Sequence, residues 1–66
     1  MAVARVTEIK SSSKKSFDDA IKVGLAKASK TIKGIKGAWI AEQDVVVANG
    51  KVGEYRVLMK VTFVVK

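Results

Sequence analysis

The sequence predicts an α+β fold of order β-α-β-β: three strands in one antiparallel sheet, covered on one face by a single amphipathic helix. Three observations carry this. Polar and apolar residues alternate over 2–10 and again over 54–65, the period of a strand. Apolar residues recur every three or four positions from Phe17 to Ile35, the period of a helix. Asn49-Gly50 separates two strand-like runs, as a hairpin turn does.

The first strand spans 2–10, with Val3, Arg5, Thr7 and Ile9 on one side and Ala4, Val6, Glu8 and Lys10 on the other. "SSSKKS" reads as a polar loop. "SFDD" opens the helix: Ser16 can cap it, with Asp19 three residues on in a variant of the capping box. Asp18 and Asp19 place negative charge at the positive end of the helix dipole. Phe17, Ile21, Gly24, Leu25, Ala28, Ile32 and Ile35 form one apolar stripe, and Lys22, Lys27, Lys30 and Lys33 lie opposite it. Gly34 or Gly37 terminates the helix. The second strand spans 38–48, "ANGKVGE" forms the hairpin loop over 48–54, and the third strand spans 54–65. In that last strand Tyr55, Val57, Met59, Val61, Phe63 and Val65 share the face that partners the helix, and Arg56, Leu58, Lys60, Thr62 and Val64 face away.

A chain of 66 residues holds one domain, 1–66, and buries only roughly 60% of its unfolded surface. Cys and His are absent, so disulfides, thiolate metal sites and the usual general base are excluded. No apolar run approaches the ~20 residues that cross a membrane, and the charged N-terminus is unlike a signal peptide, so a cytoplasmic location is expected. The net charge of +7 raises nucleic acid as a partner. The lysines are spread along the chain, however, with few Arg forks or aromatic platforms, so a solvated Lys-rich surface is the preferred reading and nucleic acid the disfavoured one.

Dimensions then decide the assembly. Strands of about 11 residues run to roughly 35 Å, and a helix of about 20 residues is roughly 30 Å long and 10 Å wide. Such a helix covers one face of a three-stranded sheet. Trp39, Val45, Val47, Leu58 and Val64 are left on the second face by alternation, a patch too apolar for a monomer. A symmetric homo-oligomer is expected, in which copies cover one another.

"FDDAIKVGLAKASKTI" and "EYRVLMKVTFVV", in the order strand, Lys-rich helix, two long strands, resemble the dodecin family over nearly the whole chain. The resemblance implies a hollow dodecamer in which a sheet wraps partly around a helix. It also implies binding of flavins, riboflavin or FMN, in pairs between subunits and sandwiched by Trp, for sequestration rather than catalysis. Counted back from Tyr55, the family's Trp position falls on Gly37, its Arg on Asp44 and its flavin-bonding Gln on Arg56. All three differ. "AEQD" with "YR" is similar instead to a branch in which flavin binding is not the rule and calcium is the proposed ligand.

The candidate cofactor-binding residues are therefore Trp39, Gly37, Asp44 and Arg56. Gly37 offers no ring to stack on a flavin. Arg56 supplies only donors where Gln supplies donor and acceptor, and Asp44 is an anion where the family has a cation. Trp39, two residues beyond Gly37 on the same strand face, either stacks on a displaced ligand or packs an interface between copies. Glu42 and Asp44 share a face and are the candidate calcium ligands if symmetry multiplies them. Ion pairing with Arg56, Lys60 or Arg5 is their competing role. No nucleophile, base or phosphate-cradling loop points to an enzyme. Three classes remain: a small-ligand shell, a cation-binding assembly of the same shape, and a basic nucleic-acid binder.

Overall fold

The computed structural model describes residues 3–65. The expected first-strand residue Ala2 and the terminal Lys66 lie outside the described residues. The order is β1 (Val3–Ser13), α1 (Phe17–Thr31), β2 (Ile35–Ala48) and β3 (Lys51–Val65). The strands form one antiparallel sheet of order β1-β3-β2, so β3 is central and both β1 and β2 are edges.

β1 runs three residues further than its composition suggests, because β3 pairs with all three serines and the helix holds two of them. Ser11 Oγ donates to the Ala20 carbonyl at 2.7 Å, and Ser13 Oγ donates to Asp19 Oδ2 at 2.6 Å. Ser13 is buried and also accepts from the Lys15 N–H. Ser16 caps α1 as expected, its Oγ accepting from the Asp19 N–H at 3.0 Å. The Asp19 side chain accepts from Ser13 rather than from the Ser16 N–H a capping box would use, and so ties the helix N-terminus to β1.

The helix ends earlier than its stripe suggests, at Thr31. Ile32 is extended (φ −109°, ψ 119°) and closes the last turn by donating its N–H to the Ala28 carbonyl. Gly34 then takes φ +80°, a region that favours glycine, and its carbonyl accepts from Val64 N–H at 3.0 Å. Gly34 is thus the break, and Gly37 lies inside β2. Ile35 belongs to β2 and packs on the core rather than extending the helix stripe.

The core is small. Ala20, Val57, Met59 and Val61 form it, with Ile9, Phe17, Ile21, Leu25 and Ile35 packed around them. The β3 alternation puts the expected face on the helix. Phe17 meets Tyr55 edge-on, with ring centroids 5.1 Å apart. Ala20, Gly24 and Ala28 are the buried row of α1, and these small residues let the helix approach closely. A Cβ on Gly24 would come within 2.9 Å of Ser11 Cβ.

The hairpin is tighter than a seven-residue loop. Asn49 (φ +53°) and Gly50 (φ +74°) alone form the turn, the paired positive φ of a type I′ hairpin. β2 and β3 are 14 and 15 residues long, against 15 for the helix. A strand residue advances more than twice as far as a helical one, so the hairpin outruns its cover. α1 packs on β1 and β3 and leaves β2 almost wholly exposed. The molecule measures 51 × 20 × 14 Å, with a radius of gyration of 13.5 Å; a compact chain of this length has about 11 Å. It exposes 5032 Å², against about 4100 Å² for a compact monomer of its mass. No helix among the described residues is long and apolar enough to cross a membrane.

Candidate functional site on the uncovered sheet face

Pairing across the sheet lays out the face away from the helix in rows. Val6, Thr62 and Gly37 form one row, and Glu8, Lys60 and Trp39 the next. Lys10, Leu58 and Glu42 follow, then Ser12, Arg56 and Asp44. Every predicted site residue lies on this one face.

A bulge makes that so. Strict alternation would place Trp39 opposite in facing to Glu42 and Asp44. Between Ile40 and Glu42 the register shifts by one residue, leaving Ala41 unpaired and restoring the carboxylates to the Trp39 side. The same shift corrects the expectation for Val45 and Val47. Val45 pairs with Tyr55, on the helix-facing side, and Val47 follows two residues on; both remain exposed because α1 does not reach that part of β2.

Trp39 is 49% exposed, and Lys60 Nζ lies 5.7 Å from its ring centroid, within cation–π range. Gly37 lies two residues back, with no atom within 4 Å of where its Cβ would be. The next rows hold the charges. Arg56 donates through Nε to Asp44 Oδ1 at 2.9 Å and through an Nη to Oδ2 at 2.7 Å, a two-pronged ion pair. The hydrogen bonds from Arg56 hold the Asp44 carboxyl below the ordinary aspartate range, aided by the charges of Arg56 and Lys10. The Arg56 guanidinium is raised in turn, chiefly by its bonds to Asp44.

Glu42, Asp44 and Arg56 border a cavity of about 190 Å³, floored by Leu58 and closed on the β1 side by Lys10 and Ser12. Trp39 and Gly37 lie outside it, further along the same face. The predicted residues therefore fall into two neighbouring groups: an aromatic end beside Lys60 and a charged end around Arg56. Among the described residues no three carboxylates gather into a metal-binding cluster, so one chain supplies at most the pair Glu42 and Asp44. Asp44 is already engaged by Arg56, the ion pairing weighed above. Glu42 has no ion-pair partner among the described residues.

Lys10 and Ser12 were not singled out from sequence, and Lys60 was named only as an ion-pair partner for Glu42 and Asp44, not as the neighbour of Trp39. Counting outward from the Asn49-Gly50 turn in an unbroken hairpin pairs Trp39 with Lys60, so that neighbour was within reach.

The family model described as Dodecin matches residues 3–66. The chain belongs to the dodecin family. Its fold superposes on a dodecin from Streptomyces davaonensis with a TM-score of 0.94 at 29% identity, over 98% of this chain and 96% of that one. A point variant of the Thermus thermophilus dodecin gives 0.95 at 26% identity, over 100% and 98% of the two chains. The calcium dodecin of Mycobacterium tuberculosis, a calcium-chelating antigen, gives 0.83 at 29% identity, over 97% and 91%. Comparison with curated proteins yields no significant match. The β-α-β-β order and three-stranded antiparallel sheet are those of the dodecin fold.

Proposed function

We propose that the chain assembles with copies of itself into a dodecin-like shell, a homododecamer, that binds and sequesters a flat aromatic ligand against Trp39. The observation that carries this is the half-exposed Trp39 on a sheet face that none of the described elements covers. The excess of roughly 900 Å² over a compact monomer is close to the ~800 Å² each partner contributes to a standard interface. An indole with open space at Gly37 beside it is a surface for stacking, and Lys60 leaves one ring face free. Flavin, as riboflavin or FMN, is the ligand class to which the family points. The pairing of Asp44 with Arg56 offsets the anion that would otherwise repel an FMN phosphate. Sequestration is the role: the face holds one ion pair, an indole and aliphatic groups, and neither His nor Cys occurs in the chain.

Riboflavin titration tests this. Fluorescence quenching is expected with the native chain and lost in Trp39→Ala, the particle mass being unchanged. No quenching at tens of micromolar removes flavin from the account.

A second reading rests on a separate observation. Glu42, without an ion-pair partner among the described residues and beside Asp44, offers oxygens that symmetric copies multiply towards the 6–8 calcium takes. The calcium-binding relative supports it. Calcium is then expected to raise the melting temperature of the native chain and not of Glu42→Gln; identical curves with calcium and with chelator count against it.

A further inference from the structure

The fold sorts charges that the sequence leaves scattered. On the uncovered sheet face, Glu8, Glu42, Asp44 and Glu54 oppose Lys10, Lys51, Arg56 and Lys60, so that side is close to neutral. The helix side is different. Lys22, Lys27 and Lys30 on α1, Lys14 and Lys15 before it and Lys33 after it are all exposed. Only Asp18 and Asp19 oppose them, and the Asp19 carboxylate is engaged by the Ser13 hydroxyl. Among the described residues the one ion pair, Arg56 with Asp44, is on the other side of the molecule.

We propose that this helix side binds the phosphate backbone of double-stranded nucleic acid without sequence preference. Lys22 and Lys30 are two turns apart, about 12 Å along the helix axis, with Lys27 on the flank between them. Duplex DNA presents one charge about every 3.4 Å along each strand, so several phosphates lie within reach of these three ammoniums. Lysine without arginine or an exposed aromatic neutralises phosphates but reads no bases. A lipid surface fits less well. The apolar row Ala20, Gly24 and Ala28 is buried against the sheet, leaving Val23 and Ala26 as the outward apolar groups of the lysine face. The inference goes beyond ligand sequestration. Copies that cover the sheet face leave the opposite, helix side free, and assembly repeats the lysine row around the particle.

Anisotropy of a labelled random-sequence DNA duplex tests it with the full chain. Affinity is expected to fall at least forty-fold, roughly, between about 50 and about 200 mM salt, the change for three phosphates neutralised. The triple variant Lys22→Gln, Lys27→Gln, Lys30→Gln is expected to lose that binding while keeping the native particle mass, and Lys51→Gln at the hairpin turn to retain it. No binding at the lower salt overturns the proposal. So does a triple variant that binds as the native chain does, and so does retention by phosphatidylserine vesicles without retention by DNA.

Discussion

Gly24→Ala is the most informative single change to the fold, because two effects of opposite sign meet there. An alanine in mid-helix is worth about 1 kcal/mol over glycine, and in an exposed helix the substitution would stabilise. Here the new methyl would stand 2.6 Å from Met59 Cε and 2.9 Å from Ser11 Cβ. The Met59 terminus can swing away, though it is fully buried. Ser11 Cβ cannot, since it is one bond from the β1 backbone and its hydroxyl is held by the Ala20 carbonyl at 2.7 Å. Relief requires α1 to lift from β1, with an overpacking cost of about 1–3 kcal/mol and loss of a hydrogen bond worth about 1 kcal/mol. The clash outweighs the propensity gain, and a net loss of about 1–3 kcal/mol is expected. Urea unfolding at fixed protein concentration measures it. Ser11→Gly removes the obstructing Cβ, so the double variant should recover part of the loss. A Gly24→Ala chain as stable as the native one would refute the close helix–β1 contact on which the core depends.

Other substitutions separate backbone from packing and test the site. Gly50→Ala and Gly37→Ala both place a methyl in open space, but only Gly50 has positive φ. The first should cost about 1–2 kcal/mol and the second should be neutral or slightly stabilising; equal thermal shifts would contradict the type I′ turn. Gly37→Trp, an aromatic at the position that the sequence resemblance assigns to the family's Trp, should fold and quench riboflavin more strongly than the native chain, and unchanged quenching would argue that the ligand does not reach that row. Asp44 is held below its unfolded value by Arg56, so its contribution to stability is present above about pH 4 and is lost as pH falls through the depressed folded value. Asp44→Asn should therefore be less stable than the native chain at neutral pH and indistinguishable from it in strong acid, with a small, salt-sensitive gap because both side chains are exposed; a gap that persists in acid assigns it to something other than the ion pair.

The architecture was largely legible because it rests on periodicity. The β3 alternation identified the helix-facing residues Val57, Met59 and Val61, and Ser16 and Asn49-Gly50 marked a cap and a turn. What periodicity missed was set by partners distant in sequence. Ser11 to Ser13 look like loop, and become strand because β3 pairs with them and the helix accepts hydrogen bonds from Ser11 and Ser13. Ala20 is fully buried but absent from the predicted stripe, since the helix turns its small residues towards the sheet. The site depended on two register shifts that cancel: an extra residue at Ala41 in β2 and one at Gly53 in β3. Between them Asp44 meets Arg56 rather than Tyr55; beyond them Trp39 meets Lys60 as an unbroken hairpin would have it. A glycine within a strand signals such a bulge, and Gly53 carried that signal, whereas Ala41 carried none.

Sedimentation velocity at low micromolar concentration bears most directly on the central claim, that copies of the chain cover the sheet face the helix cannot reach. The account predicts a single boundary many times heavier than the 7.1 kDa chain, about 85 kDa for a dodecamer. A well-folded particle of 7.1 kDa would contradict it.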